Sequence, residues 1–204
     1  MTMIDYKIYL EYIEHAAHAH QENVLPTAKA LRTFPTGEKN PYITHTLWCS
    51  MMLLLETQLP EEIREPGAIA LLFHDVLEDT SSPLPESLSP KSVQLINDMT
   101  YENFQEEVAA VLSKGPEVQL LKLYDKVATL YDGTLRSFRY PEWLDFTEQL
   151  IDRVQKNYGE LNIVLLGKAL VKKYRDMLAT GSIPKLPLIN NIFIRRPNTL
   201  LNLL

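Results

Sequence analysis

His74 and Asp75 adjoin one another in the run ALLFHDVLEDT, residues 70–80. An imidazole and a carboxylate in an apolar run are costly to bury unless they are paired or hold a cation. Glu78 follows His74 by four positions and Asp79 follows Asp75 by four. On a continuous helix all four side chains would share one side of one turn. Three carboxylates around one histidine, with no cation among them, repel one another unless something positive sits there. A divalent metal ion is the simplest candidate.

Two further residues complete a ligand set. His45 stands at the head of the apolar run Thr46 to Leu55, and Asp125 lies within a second apolar run, LLKLYDKVATL, residues 120–130. Alone, His45 would read as a packing or capping residue and Asp125 as an ion-pair partner of Lys122. Together His45, His74, Asp75 and Asp125 supply two imidazoles and two carboxylates. That set suits manganese, iron, zinc, cobalt or nickel, and the ligand types alone do not choose among them. On a six-coordinate ion, two positions remain for a water and a phosphate oxygen, the layout of a hydrolytic site.

The order H…HD…D resembles the HD superfamily of metal-dependent phosphohydrolases. Within it, Gly37-Glu38 with PYITH (41–45), then HDVLEDT (74–80), then KLYDK (122–126) is similar to the hydrolase domain of the Rel/Spo alarmone enzymes and their single-domain relatives. The resemblance covers roughly residues 5 to 180. It implies that His45, His74, Asp75 and Asp125 hold the metal, with manganese foremost and magnesium also admissible. It implies too that Glu78 and Asp79 orient and deprotonate the attacking water, and that Arg32 belongs to the substrate pocket. The activity implied first is 3′-pyrophosphate hydrolysis of (p)ppGpp. The alternatives are an HD hydrolase of a nucleoside triphosphate, a deoxynucleoside monophosphate or an NADPH-like dinucleotide, and nucleotide binding without turnover.

Two departures fall on the substrate side. Thr129 stands where the family usually has asparagine, and a hydroxyl cannot offer an amide's paired donor and acceptor. The stretch from Gly37 to His45 is also longer than usual. A polyphosphate approaching this acidic site needs cations around it. Lys39, Lys122, Lys126 and Arg136, besides Arg32, are the candidates, with Arg139 on the same loop. His15, His18 and His20 have no acidic or cysteine partner that completes a site, and they read as solvated or packed.

The remaining pattern is helical. Helices are expected from Met3 to His20, Pro26 to Phe34, from Pro41 through His45, and between Pro60 and Pro66. Others follow over Gly67 to Leu77, Pro90 to Met99, Asn103 to Ser113, Pro116 to Tyr131, Pro141 to Tyr158 and Gly159 to Ala179. No alternating strand run of useful length stands out. Residues 81 to 90, with three prolines, form a loop directly after the acidic pair. The architecture expected is a compact all-α HD-domain bundle of about seven to eight helices, spanning residues 1–180. Residues 181–204 form an apolar, proline-containing tail expected to pack on the domain or on a partner subunit, giving a homo-oligomer.

Composition sets the outer limits. The chain has 204 residues, enough for one full core, and its net charge of −6 argues against a nucleic-acid polymer as partner. A small phosphorylated nucleotide remains compatible, since a few local cations suffice. No apolar run approaches the roughly 20 residues of a membrane span, and no secretory signal is present. The lone Cys49 forms no intrachain disulfide and fits a cytoplasmic setting, read as a small buried residue.

Overall fold

The structure, a computed structural model, describes residues 5–183. The chain begins with α1 (Tyr6–Glu22), whose N-terminus is capped by the Asp5 carboxylate accepting from Lys7 N. A small antiparallel hairpin follows, β1 (Leu31–Thr33) and β2 (Lys39–Pro41). Then come α2 (Ile43–Leu54), α3 (Glu61–Phe73), the four-residue α4 (Val76–Asp79), α5 (Pro90–Met99) and α6 (Phe104–Val111). The chain closes with α7 (Pro116–Asp132), a short 3-10 turn (Ser137–Arg139), α8 (Tyr140–Tyr158) and α9 (Asn162–Ala179). No described helix is long and apolar enough to cross a membrane.

The bundle is built around α7. Every residue from Val118 to Leu130 is buried, so the helix has no solvent face. It packs against α2, α3, α5, α6, α8 and α9. Pro116 opens it at a position where the missing N–H costs nothing, and Gly133, at φ +65°, ends it in the left-handed conformation. Gly67 lets α3 approach closely: a Cβ there would stand 2.8 Å from Leu53 Cδ2 and 3.0 Å from Leu121 Cδ2. Glu56, itself buried, caps α9 from a distance, accepting from Asn162 N at 2.8 Å and Asn162 Nδ2 at 3.1 Å.

The sequence reading holds for most helices and fails at four places. Residues 26–34 form no helix. Leu31 pairs with Pro41, Arg32 with Asn40 and Thr33 with Lys39, the chain turning at Gly37 with φ +86°. Pro35 stops any helix before it, and Gly37 permits the reversal. Pro41 accordingly ends β2 instead of opening α2. Pro66 does not interrupt α3, because the carbonyl it leaves unpaired belongs to the exposed Glu62, where water can reach. Lastly, the run across His74 is broken: α3 stops at Phe73 and α4 starts at Val76. Of the expected tail, residues 181–204, all but 181–183 lie outside the described residues.

Candidate active site

The break between α3 and α4 is where the chemistry collects. His45 is the third residue of α2, His74 and Asp75 occupy the break, and Asp125 lies midway along α7. His45, His74 and Asp125 place one potential ligand atom each within 4.8 Å of one another. His45 Nε2 stands 3.3 Å from Asp125 Oδ1, and His74 Nε2 stands 3.0 Å from Asp75 Oδ2 and 3.7 Å from Asp125 Oδ1. The four residues expected as metal ligands are thus adjacent.

A divalent ion fits what these atoms need. His74 Nδ1 donates to the Leu71 carbonyl at 2.7 Å, which turns Nε2 towards the carboxylates. Nε2 is buried and has no hydrogen-bond partner. Burial works against a charged His74, but Asp75 and Asp125 outweigh it and raise the imidazole to about 10. The pocket therefore demands positive charge at that nitrogen. Burial and the nearby Arg32 guanidinium hold His45 down to about 4, leaving it neutral and able to ligate. Burial alone would raise Asp75, yet His74 beside it pulls the carboxyl well below the usual range. Tyr42 fixes that carboxylate by donating to Oδ2 at 2.7 Å.

Lys122 and Lys126 were expected to meet substrate, but both point inward. Lys126 Nζ lies 2.7 Å from Glu107 Oε1 and 3.0 Å from Asp125 Oδ2, while Lys122 Nζ lies 3.2 Å from the same Glu107 oxygen and 3.6 Å from Asp125 Oδ2. At 2% and 4% exposure, both lysines are buried, with their ammonium groups engaged by carboxylates. Desolvation of a bare ammonium is costly, and the two carboxylates offset it. Glu107 was not singled out by sequence, since nothing near it in the chain marks it as their partner.

Glu78 and Asp79, on α4, open onto a cleft of about 460 Å³ lined also by Thr27, Leu77, Thr100, Tyr101, Glu102 and Glu106. Glu78 Oε1 accepts from Tyr101 N at 2.8 Å, which orients it. Burial, then the neighbouring Asp75 charge, raises both Glu78 and Asp79 to about 7. A carboxylate so tuned can take or give a proton near neutrality.

Cations also gather near the site. Arg32, 8% exposed, donates from Nη2 to Thr134 Oγ1 at 2.7 Å, has Asp132 Oδ2 3.4 Å from its Nε, and lies 5.6 Å from the centre of the Tyr42 ring. Arg136 is exposed two residues beyond Thr134. Lys29, within the segment where a helix is expected, is exposed; partial desolvation of its ammonium first, then Arg136 and Arg32, lower its pKa, and Asp79 opposes them. Lys39 is exposed on β2, and Thr129 is buried one turn beyond Asp125. His20 is packed, as read, but against the site: its ring lies 4.9 Å from that of Tyr42.

No family model matches the chain, and no curated protein matches it in sequence. Solved structures do match. One is described as a metazoan ortholog of SpoT that hydrolyzes ppGpp and plays a role in starvation responses. It is 21% identical, covers 85% of this chain and 98% of its own, and superposes with a TM-score of 0.64. The two proteins share one fold. The compact all-α bundle expected from the sequence is therefore the architecture observed, and it is the fold of the matched structure.

Proposed function

We propose that this protein is a metal-dependent phosphohydrolase of a nucleotide, with (p)ppGpp 3′-pyrophosphate hydrolysis as its first activity. The observation that carries this reading is the convergence of His45, His74, Asp75 and Asp125 beside an acidic pair poised near neutrality. The likeness in fold to a ppGpp hydrolase supports it. A divalent ion bound there, manganese by preference, would lower the pKa of a coordinated water and polarise a phosphoryl oxygen.

The chain's own residues account for the rest. Tyr42 and the Leu71 carbonyl orient Asp75 and His74. Glu78, held by the Tyr101 amide, would accept the proton of the attacking water, with Asp79 sharing the load. Lys29, Arg32 and Arg136 supply the positive charge a polyphosphate needs, and the exposed Lys39 is a further contact on β2. Lys122 and Lys126 have a structural task instead. Thr129, one turn from Asp125, holds a nucleoside less firmly than an amide would, which favours another nucleotide as the second reading. The chain would act in the cytoplasm on a small nucleotide, without a nucleic-acid polymer.

Hydrolysis of a nucleotide panel with manganese present tests the proposal, with Asp75→Ala as control. Release of pyrophosphate from guanosine tetraphosphate by the unmodified protein alone is expected. A metal-loaded protein that turns over nothing in the panel, yet binds a nucleotide, would replace the enzyme with a binding protein.

A further inference from the structure

The buried charges behind the metal centre balance in an unusual way. Lys122 and Lys126, one turn apart on α7, both face Asp125 Oδ2, at 3.6 Å and 3.0 Å. Two cations on one carboxylate would leave surplus positive charge beside a centre that must take up a divalent cation. Glu107 is the group that offsets it. It lies in the first turn of α6, 6% exposed, and both of its oxygens stand within 2.8 Å of Lys126 Nζ. Oε1 also lies 3.2 Å from Lys122 Nζ.

We infer that Glu107 is a positioning residue for the metal centre, taking up the lysine charge so that Asp125 stays available to the ion facing His45 and His74. The inference rests on the metal-centre reading above. Two ammonium groups, Glu107 and Asp125 sum to zero, so the ion meets no net repulsion from behind. Without the Glu107 charge the same group is positive, in a medium where opposite and like charges are poorly screened. Asp125 then spends more of its charge on the lysines and less on the ion.

The placement of α6 serves this role. Asn103 caps the helix, its side chain accepting from Glu106 N at 3.0 Å. Phe104 stacks on Trp143 at 5.0 Å and 12°. The Trp143 ring in turn lies 4.4 Å from Lys126 Nζ. One aromatic pair thus holds both the lysine and the helix that carries its counter-charge.

Calorimetric titration of metal-free protein with Mn²⁺ tests the inference without relying on turnover. Glu107→Gln keeps the shape and removes the charge, and should weaken Mn²⁺ binding by roughly 10–100-fold, the scale of an outer-shell loss. Adding Lys126→Met to that variant removes one cation and should recover most of the affinity, a coupling read from the double-mutant cycle. A purely structural Glu107 would lower Tm without that recovery. Glu107→Gln binding Mn²⁺ as tightly as the unmodified protein, or a double variant no tighter than the single, overturns the inference. Should Glu107→Gln not fold, Lys126→Met alone decides: unchanged or tighter binding upholds it, and weaker binding overturns it. Loss of binding in Asp75→Ala with Glu107→Gln unaffected would leave the centre standing and remove only Glu107. An unmodified protein that binds no Mn²⁺ removes both.

Discussion

Lys126 Nζ stands 3.0 Å from Asp125 Oδ2, on the side of that carboxylate turned away from the histidines. Oδ1 meanwhile faces His45 Nε2 at 3.3 Å. One side chain on the central helix thus joins a buried ion-pair group to the ligand cluster, and what happens to either is felt by the other.

The ligand cluster should hold close to one equivalent of a first-row divalent ion. Asp75→Ala removes the carboxylate that Tyr42 orients and His74 leans on, and should abolish retention through purification. Elemental analysis is the check, and unchanged metal in that variant would refute the assignment of Asp75.

Glu78→Gln should keep the metal and slow turnover by about 10²–10⁴-fold, the usual scale for a general acid–base group. The pH profile carries a second signature. Since burial and Asp75 raise Glu78 to about 7, the base becomes available as pH rises, and kcat/KM should climb over an acid limb ending near that value. A bound cation moves this limb downward. If Glu78→Gln retains full activity, water handling belongs elsewhere.

Without metal, the site should make the protein less stable as pH rises above about 6.5. His74 is raised to about 10 from an unfolded value of about 6.5. Its contribution is complete below the lower value and is lost towards the higher one. Glu78 and Asp79, raised to about 7, act in the same direction over the more acidic range. His45, held down to about 4, works against them below about 6.5, which is why the unopposed window starts there. Thermal melts of metal-free protein at pH 7 and pH 9 should show a falling Tm, and Mn²⁺ should remove most of the fall. A Tm that rises across that interval would contradict the charge demand inferred at His74.

Thr129→Asn should raise kcat/KM for guanosine tetraphosphate by several-fold, since a contact to a sugar hydroxyl is worth on the order of 1 kcal/mol. The comparison to make is between tetraphosphate, triphosphate and monophosphate substrates in both proteins. Equal, efficient use of the tetraphosphate by both would show that this position does not set preference.

Much of the bundle was legible because its signals are local. Pro90 and Pro116 sit at helix starts, Ser89 caps α5 by accepting from Ser92 N, and Gly133 ends α7. The ligand residues were legible through their order along the chain. The hairpin was not, since three-residue strands carry no readable alternation. The break at His74 was hidden because apolar residues flank it on both sides, Leu71 to Phe73 before and Val76 and Leu77 after. Glu107, Lys29 and His20 acquire their meaning only from partners distant in sequence: Glu107 from lysines on another helix, Lys29 from Arg136, His20 from the Tyr42 ring.

The backbone joins Leu25 N to Asp79 O at 2.8 Å, and Val24 bridges Thr80 beside it. A few residues on, Ala30 O accepts from Tyr42 N at 3.0 Å. The segment bearing Lys29 and leading into Arg32 is therefore stitched at one end to an acid of the pair and at the other to the tyrosine that holds Asp75. Any displacement of the Lys29–Arg32 segment would therefore load the same backbone links that hold Asp79 and, through Tyr42, Asp75, so the cationic and acidic sides of the cleft cannot shift independently.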